Sequence, residues 1–185
     1  MMKTVMLFLL IVQFFAVSVF ASVFASPVAT GDRKRFFVIA GTGYASSNPR
    51  GALLEAGVEI RLFGDVHARL IFDHYFGSDY AKDNITVKHI WGATLYGVYK
   101  IPLSETVDFR LKVGGHYANV RARVTALGLS FNTTMADVGV CAGPGFSVQL
   151  GNKVYLYAEA EVKYLMLDEP WTFVKFQTGI MYRLR

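Results

Sequence analysis

Apolar and polar residues alternate along most of the chain after residue 35. In the last run, residues 175–184, the even positions form a mostly apolar set: Phe176, Thr178, Ile180, Tyr182 and Leu184. The odd positions are mostly polar. Successive side chains of a β-strand point to opposite faces of the sheet, so this pattern predicts a strand with one apolar and one polar face. Residues 54–62, 66–73, 108–113 and 156–163 show the same alternation.

Eight such runs follow one another, and no helical period interrupts them. The predicted strands are Arg35–Ala45, Leu53–Phe63, Val66–Phe76, Ile85–Ile101, Thr106–Val120, Thr134–Leu150, Lys153–Leu167 and Thr172–Leu184. Tight turns are predicted at 64–65, 102–105 and 151–152, and they alternate with longer connections at 46–51, 78–84, 120–133 and 168–171. Residues 120–133 have an alternation of their own, so a strand extension is the other interpretation of that connection.

The length of the apolar faces separates a membrane barrel from a soluble protein. Each face is apolar over about nine residues, which is the length that a tilted strand needs to cross hydrocarbon. A soluble β-sandwich or a lipocalin-like carrier would need polar residues on the outer face of every strand. The pattern therefore predicts an all-β chain that forms an eight-stranded antiparallel transmembrane β-barrel, an up-and-down meander. Short turns and termini are expected on the periplasmic side.

The end of the chain carries a motif. Gly179-Ile-Met-Tyr182-Arg-Leu184 resembles the Gly-x-x-Tyr-x-Phe ending of bacterial outer-membrane β-barrels, in particular the small OmpX/OmpA-like group. Here Leu184 replaces the final aromatic residue and Arg185 follows it. The resemblance implies that Gly179, Tyr182 and Leu184 form the signal read by the barrel-assembly machinery. It also implies a role in envelope integrity or in surface adhesion and host interaction.

The first 25 residues have the layout of a secretory signal peptide. Lys3 precedes an apolar stretch, and small residues follow it. Cleavage is expected after Ala25, with Ala21 and Ala29 as alternatives. Residues 26–34 then form an N-terminal periplasmic flank, and residues 35–185 form the barrel domain. Export leads to an oxidising compartment, where the single cysteine, Cys141, is interpreted as a packed side chain.

The polar faces of the strands carry charges of both signs. The expected lumen charge network is Glu59, Arg61, Arg69, Asp73, Arg110, Lys112, Glu159, Glu161, Lys163, Lys175 and Arg183. Buried charges persist only when they are paired and hydrogen-bonded, so the network predicts a salt-bridge plug. A small, low-conductance ion path remains the alternative. Gly139, Gly143 and Gly145 are expected to leave room for long side chains or to bend the sheet, and Pro144 to mark a bulge or a strand end.

Composition adds little beyond this. The chain has 185 residues, 15% of them aromatic, and a net charge of +5. Its one basic cluster, Arg33-Lys34-Arg35, suits lipid phosphate groups better than nucleic acid, and a solvated flank is the other interpretation. None of the four histidines is followed by the His-x-Ser pattern of lipid A deacylases, and their spacing predicts no metal site. His74 with Asp73 and Ser78 is the nearest approach to an acyltransferase site.

The sequence therefore predicts a non-enzymatic outer-membrane protein with no cofactor. A lipid A-modifying enzyme is kept as the alternative. The expected partners are outer-membrane lipid and lipopolysaccharide, the barrel-assembly machinery, and a host or surface ligand bound through the loops. The candidate loop contacts are Tyr80, Lys82, Leu127 and Phe131. The short predicted loops favour a structural role over a large adhesive platform.

Overall fold

The structure, a computed structural model, describes residues 35–46, 50–76, 81–82, 85–126, 129–166 and 171–184. Strands occupy almost all of these residues. They are β1 (Phe36–Ala45), β2 (Gly51–Phe63), β3 (Val66–Phe76), β4 (Ala81–Lys82), β5 (Ile85–Pro102), β6 (Val107–Ala126), β7 (Leu129–Gln149), β8 (Val154–Leu165) and β9 (Trp171–Arg183). The predicted signal peptide and periplasmic flank lie outside the described residues.

The strands form one closed antiparallel sheet. Each long strand pairs with the next one along the chain, and β1 pairs with β9 from Phe37↔Arg183 to Ala45↔Lys175. The two-residue β4 pairs only with β5, while β3 pairs directly with β5. The ring thus contains eight strands in meander order, and the predicted fold class is confirmed.

The alternation of faces follows the sequence pattern closely. Outward positions carry exposed apolar side chains on every barrel strand, among them Val38, Leu54, Phe72, Leu95, Val113, Phe146, Val162 and Ile180. Inward positions of the same strands are buried or half-buried. Because closure leaves no free sheet edge around the ring, this arrangement suits a hydrocarbon solvent, where backbone groups find no water. No helix among the described residues is long and apolar enough to cross a membrane.

Three short connections lie at one end of the barrel, here called the turn end. Gly64 and Asp65 link β2 to β3, and Gly64 has φ of 49°, a conformation that glycine adopts without a Cβ clash. Residues 103–106 link β5 to β6, and residues 150–153 link β7 to β8. The predicted tight turns are therefore located correctly. The opposite end is called the loop end.

The strands of the β6–β7 hairpin are longer than the predicted ones, in which residues 120–133 mainly form a connecting loop. β6 continues to Ala126 and β7 begins at Leu129, so residues 120–133 extend the two strands rather than form a loop. β8 pairs with β7 only from Gly139 onward, whereas β5 pairs with β6 as far as Ile85↔Val124. Residues 85–88 of β5, 119–126 of β6 and 129–138 of β7 thus continue past the loop end. We call them the projecting sheet.

Pro144 lies inside β7 rather than at its end. The β7–β8 ladder has pairs at Ala142↔Val162 and Gly145↔Glu159 but none between them. Proline has no N–H to donate, which accounts for this gap. A Cβ added at Gly143 would lie 1.9 Å from the Ala160 carbonyl oxygen, so the glycine accommodates the backbone of β8 rather than a long side chain.

Candidate functional site

The barrel lumen is filled with charged side chains. Among the described residues, six basic and five acidic side chains are buried there: Arg69, Lys100, Arg110, Lys112, Lys163 and Lys175 against Glu55, Glu59, Asp73, Glu159 and Glu161. They come from β2, β3, β5, β6, β8 and β9. The described inward positions of β1 from Phe37 to Gly43 and of β7 from Cys141 to Ser147 carry no charge, which leaves space for these long side chains.

The layer nearest the turn end is centred on Glu59. Its carboxylate accepts from Arg69 Nε at 2.8 Å and lies 3.0 Å from Lys100 Nζ and 3.1 Å from His67 Nδ1. It also pairs with Arg110. Lys100 lies over the ring of Phe37, 4.7 Å from its centroid. A carboxylate with this many donors is well compensated for the loss of water.

The middle layer is centred on Glu159. Arg69 Nη1 donates to both of its oxygens at 2.9 Å, and Lys112 Nζ and Gln177 Nε2 each donate at 2.7 Å. Lys112 also contacts Glu161 at 2.7 Å, and Tyr96 donates its hydroxyl to Glu161 at 2.8 Å. Arg69 and Lys112 therefore connect this layer to the carboxylates on either side of it.

The layer nearest the loop end is centred on Asp73. Lys163 Nζ donates to Asp73 at 2.7 Å, and Lys175 Nζ donates at 3.3 Å. Lys175 also reaches Glu55 at 3.2 Å, and Tyr157 donates its hydroxyl to the other Glu55 oxygen. Lys163 Nζ also lies 3.6 Å from Glu161, so the ion pairs form one continuous chain from Lys100 to Glu55.

An apolar layer closes the lumen beyond these charges at the loop end. It consists of the buried side chains Ala45, Leu53, Tyr75, Ile90, Ala118, Val120, Leu165 and Phe173. Tyr75 and Phe173 meet edge to face with centroids 5.9 Å apart. This layer and the ion-pair chain together fill the interior, as is typical of eight-stranded barrels.

Among the comparisons with known proteins, only the one with solved structures finds proteins similar to this chain. No family model matches the chain, and no curated protein matches it. Solved structures do: the N-terminal β-barrel domain of Pseudomonas aeruginosa OprF is 13% identical with a TM-score of 0.57, covering 81% of this chain and 97% of that one. A major outer membrane protein from Thermus thermophilus is 13% identical with a TM-score of 0.64, covering 83% and 100%. Ail, the attachment invasion locus protein of Yersinia pestis, is 14% identical with a TM-score of 0.53, covering 83% and 100%.

The chain is an outer-membrane-type β-barrel. Its location in a bacterial outer membrane follows from the closed ring, from the apolar outward face and from the fold that it shares with these proteins.

The structure brings most of the predicted network residues of this barrel together, with two exceptions. Arg61 and Arg183 are half-buried at the turn end and lie apart from the ion-pair chain. Arg61 Nε donates to the Gly64 carbonyl oxygen at 2.6 Å, and Arg183 donates to the Asn152 carbonyl oxygen and to the Tyr155 hydroxyl. Both point inward as alternation requires, but both are too close to a turn to reach the carboxylates.

The buried polar residues of the lumen that were not among the predicted site residues include Lys100, His67, His116 and Gln177. His116 Nδ1 lies 2.6 Å from the Thr94 hydroxyl and 3.2 Å from Lys163 Nζ. Alternation was a sufficient signal for all four. Lys100, for example, lies between the outward side chains Tyr99 and Ile101.

The candidate loop contacts are placed unevenly. Tyr80 and Leu127 lie outside the described residues. Lys82 belongs to β4, where its backbone pairs with Ile85. Phe131 belongs to β7 within the projecting sheet and is 59% exposed.

The three residues of the C-terminal motif lie at the seam where the barrel closes. Gly179 pairs with Gly41 of β1 and Tyr157 of β8. Tyr182 and Leu184 are exposed on the outward face, and the backbone N–H of Leu184 donates to the Phe36 carbonyl oxygen at 2.9 Å. Elsewhere in the described part of the chain, no group of three His, Cys, Asp or Glu side chains has the arrangement of a metal site.

Proposed function

We propose that this protein is a non-enzymatic outer-membrane barrel whose filled interior anchors the projecting sheet for contact at the cell surface. The observation that carries the proposal is the β7 register. Ten residues, 129–138, pair with β6 but with no described residue of β8. Just after β8 ends, the backbone N–H of Met166 donates to the Val138 carbonyl oxygen. Ten residues of strand span roughly 30 Å.

The exposure of β7 supports a role in recognition. From Ser130 to Val138 no described side chain is buried, although Phe131, Met135 and Val138 are large and apolar. Among the described strands, residues 131–137 of β7 have no β8 partner, and strand edges of this kind are templates for pairing with another chain. Side chains exposed on both faces of such a strand also leave it free to contact a partner directly.

The filled lumen supports a scaffold role rather than transport. An ion crossing the barrel would have to displace the Tyr75–Phe173 layer and break the ion pairs of Asp73 and Glu159. We therefore propose that the barrel does not conduct. In planar bilayers the refolded protein should show no steady conductance steps, and regular steps at low voltage would favour the pore alternative.

The structural neighbours are consistent with surface contact. One of them, Ail, is named as an attachment invasion locus protein, and its structure has also been solved with the heparin analogue sucrose octasulfate. By analogy we propose that a surface ligand of this chain is recognised beyond the loop end. Outer-membrane lipid and the barrel-assembly machinery are its proposed partners in the membrane.

The test compares two cell-surface roles with one variant. Residues 121–134 are replaced by Asn-Gly, a two-residue turn that joins the existing pair Val120↔Met135. The wild-type and shortened chains are expressed in a non-adherent laboratory bacterium with an outer membrane. Attachment is counted on surfaces coated with heparin, laminin or fibronectin, and vancomycin entry reports the envelope barrier.

Surface recognition predicts that the wild-type chain raises attachment to at least one coating and that the shortened chain does not, with vancomycin entry unchanged. Unchanged attachment on all three coatings would contradict the proposal. A change in vancomycin entry without a change in attachment would favour envelope integrity as the function.

A further inference from the structure

The outward face of the projecting sheet, together with the adjoining outward positions of β3, β5 and β6, carries a group of basic and aromatic side chains at the loop end of the barrel. Arg121 and Arg123 follow Tyr117 and Asn119 at alternate positions of β6, so all four point outward. Both arginines are exposed. On the neighbouring strand, His89 pairs with Arg121 and Trp91 pairs with Asn119, which places these side chains on the same face.

The aromatic members of the group mark its depth. Trp91 is 56% exposed, Tyr117 is 48% exposed, and the ring of His74 stacks on Trp91 at 3.9 Å between centroids. Aromatic side chains of membrane barrels concentrate where hydrocarbon meets the headgroups. Arg121 lies two residues and Arg123 four residues past Asn119, the partner of Trp91. These steps correspond to about 7 and 14 Å along a tilted strand, so both guanidinium groups reach the headgroup layer.

The charge of this face is of one sign. No acidic side chain occurs among its described members, which are His74, Phe76, His89, Trp91, Tyr117, Asn119, Arg121, Arg123, Ser130, Asn132, Thr134, Ala136 and Val138. Thr134 pairs with Arg121 and Asn132 pairs with Arg123 on β7, so each arginine has a neutral hydrogen-bonding neighbour. Neither guanidinium makes an ion pair with any residue that the structure describes.

We propose that Arg121 and Arg123 bind the phosphate groups of an outer-leaflet glycolipid headgroup. A guanidinium binds phosphate through two parallel N–H donors, a geometry that a lysine lacks. Trp91, Tyr117 and the stacked His74 contact the boundary between headgroup and acyl chains. The site is built from four strands held in register by the β3–β5, β5–β6 and β6–β7 ladders, so its donors are preorganised.

The variant that tests the site is Arg121→Gln with Arg123→Gln. The matched control, Lys153→Glu, lowers the net charge by the same two units at an exposed residue of the turn end. Each mature chain is refolded in detergent micelles, and folding is checked by the mobility difference between unboiled and boiled samples. Bisphosphorylated lipid A, or the same lipid with its phosphates removed, is then titrated, and bound lipid is counted by native mass spectrometry.

The site predicts that the double glutamine variant binds phosphorylated lipid A about tenfold to thirtyfold more weakly than wild type, from roughly 1 kcal/mol per basic residue at a charged lipid surface. The control should bind as wild type does, and the lipid without phosphates should bind all three chains weakly. Equal binding by the variant and wild type would overturn the site. Equal binding of the two lipids by wild type would overturn phosphate recognition.

Failure of this proposal would leave the surface-contact function intact, because that function rests on the β7 edge and on attachment of whole cells. Conversely, the double glutamine variant retains the complete β6–β7 hairpin. If the shortened chain fails to promote attachment because it lacks the β7 edge, the double glutamine variant should still promote attachment.

Discussion

Gly92 shows how closely single residues are fitted to the lumen network. A Cβ added at this inward position of β5 would lie 2.1 Å from Asp73 Oδ1 and 2.4 Å from His116 Cε1. Gly97, on the outward face of the same strand, has no atom within 4 Å of such a Cβ. Within one strand, the two glycines therefore differ in whether a methyl group has space.

We predict that Gly92→Ala destabilises the barrel and Gly97→Ala does not. The added methyl group must displace Asp73 from Lys163 or move β5, and overpacking of this kind costs about 1–3 kcal/mol. Urea unfolding of the refolded chains in lipid vesicles, followed by intrinsic fluorescence, measures the free energy of unfolding. Equal destabilisation by the two variants would show that glycine is needed for its backbone rather than for the space it leaves.

Glu159 provides a second test at the same scale, because its carboxylate has the largest set of close donors in the middle layer. Glu159→Gln keeps the shape but removes the charge that Arg69 and Lys112 share. Breaking a buried ion pair in this way costs about 3–5 kcal/mol, since the remaining charges stay buried without full compensation. The exposed turn residue Glu105 offers the control Glu105→Gln, which should leave the unfolding free energy unchanged. A Glu159→Gln variant as stable as wild type would contradict the importance of the network.

At the scale of elements, the projecting sheet should be less stable than the barrel that supports it. Residues 129–137 of β7 have a ladder on the β6 side alone among the described strands. Residues 139–148 are paired with β6, and residues 139–149 are paired with β8 apart from the gap at Pro144. We predict that backbone amides of 129–137 exchange with solvent much faster than those of 139–149. Residues 111–118 of β6, paired on both sides, serve as the slow reference. Hydrogen exchange followed by mass spectrometry measures this, and uniform protection along β7 would indicate that another segment covers the edge.

The alternation of apolar and polar residues explains why most strands could be predicted from the sequence. Its loss explains why the strand extensions at 120–133 could not. In residues 54–62 the lipid-facing and lumen-facing sets differ sharply in polarity, and the strand and its faces follow directly. From residue 121 to 133, every side chain whose exposure the structure describes is exposed or half-buried, so the polarity contrast that marks a spanning strand is missing. That loss of contrast favoured a loop, with a strand extension as the other interpretation, and the structure shows the extension.

The ion-pair contacts of the lumen could not be predicted from the sequence, because they depend on information that the alternation of apolar and polar residues does not contain. Alternation assigns Lys175, Asp73 and Glu55 to the lumen, but it does not show that Lys175 bridges the other two across the barrel. That contact depends on the stagger between β9 and the strands β2 and β3, which is set only when the ring closes. Arg61 and Arg183 illustrate the same point, because their faces follow from sequence and their depth does not.

At the scale of the whole molecule, closure depends on the seam between β1 and β9. Gly41 and Gly179 face each other across this seam, and a Cβ at Gly179 would lie 2.3 Å from the Ala40 carbonyl oxygen and 2.6 Å from both Gly41 Cα and the Tyr157 hydroxyl. These are contacts with backbone and with a buried tyrosine that is hydrogen-bonded to Glu55. They cannot move without opening the ladder or the network.

We therefore predict that Gly179→Val prevents closure, whereas Ile180→Val, at the adjacent exposed position, leaves it intact. The wild-type chain and Ile180→Val should migrate differently on a denaturing gel before and after boiling, and their unboiled forms should resist protease. Gly179→Val should run as a single band and be digested. The experiment uses chains refolded without any assembly machinery, so a defect there reflects the seam itself and not a lost C-terminal signal. A Gly179→Val chain that refolds normally in detergent but fails to assemble in cells would instead assign Gly179 to the signal.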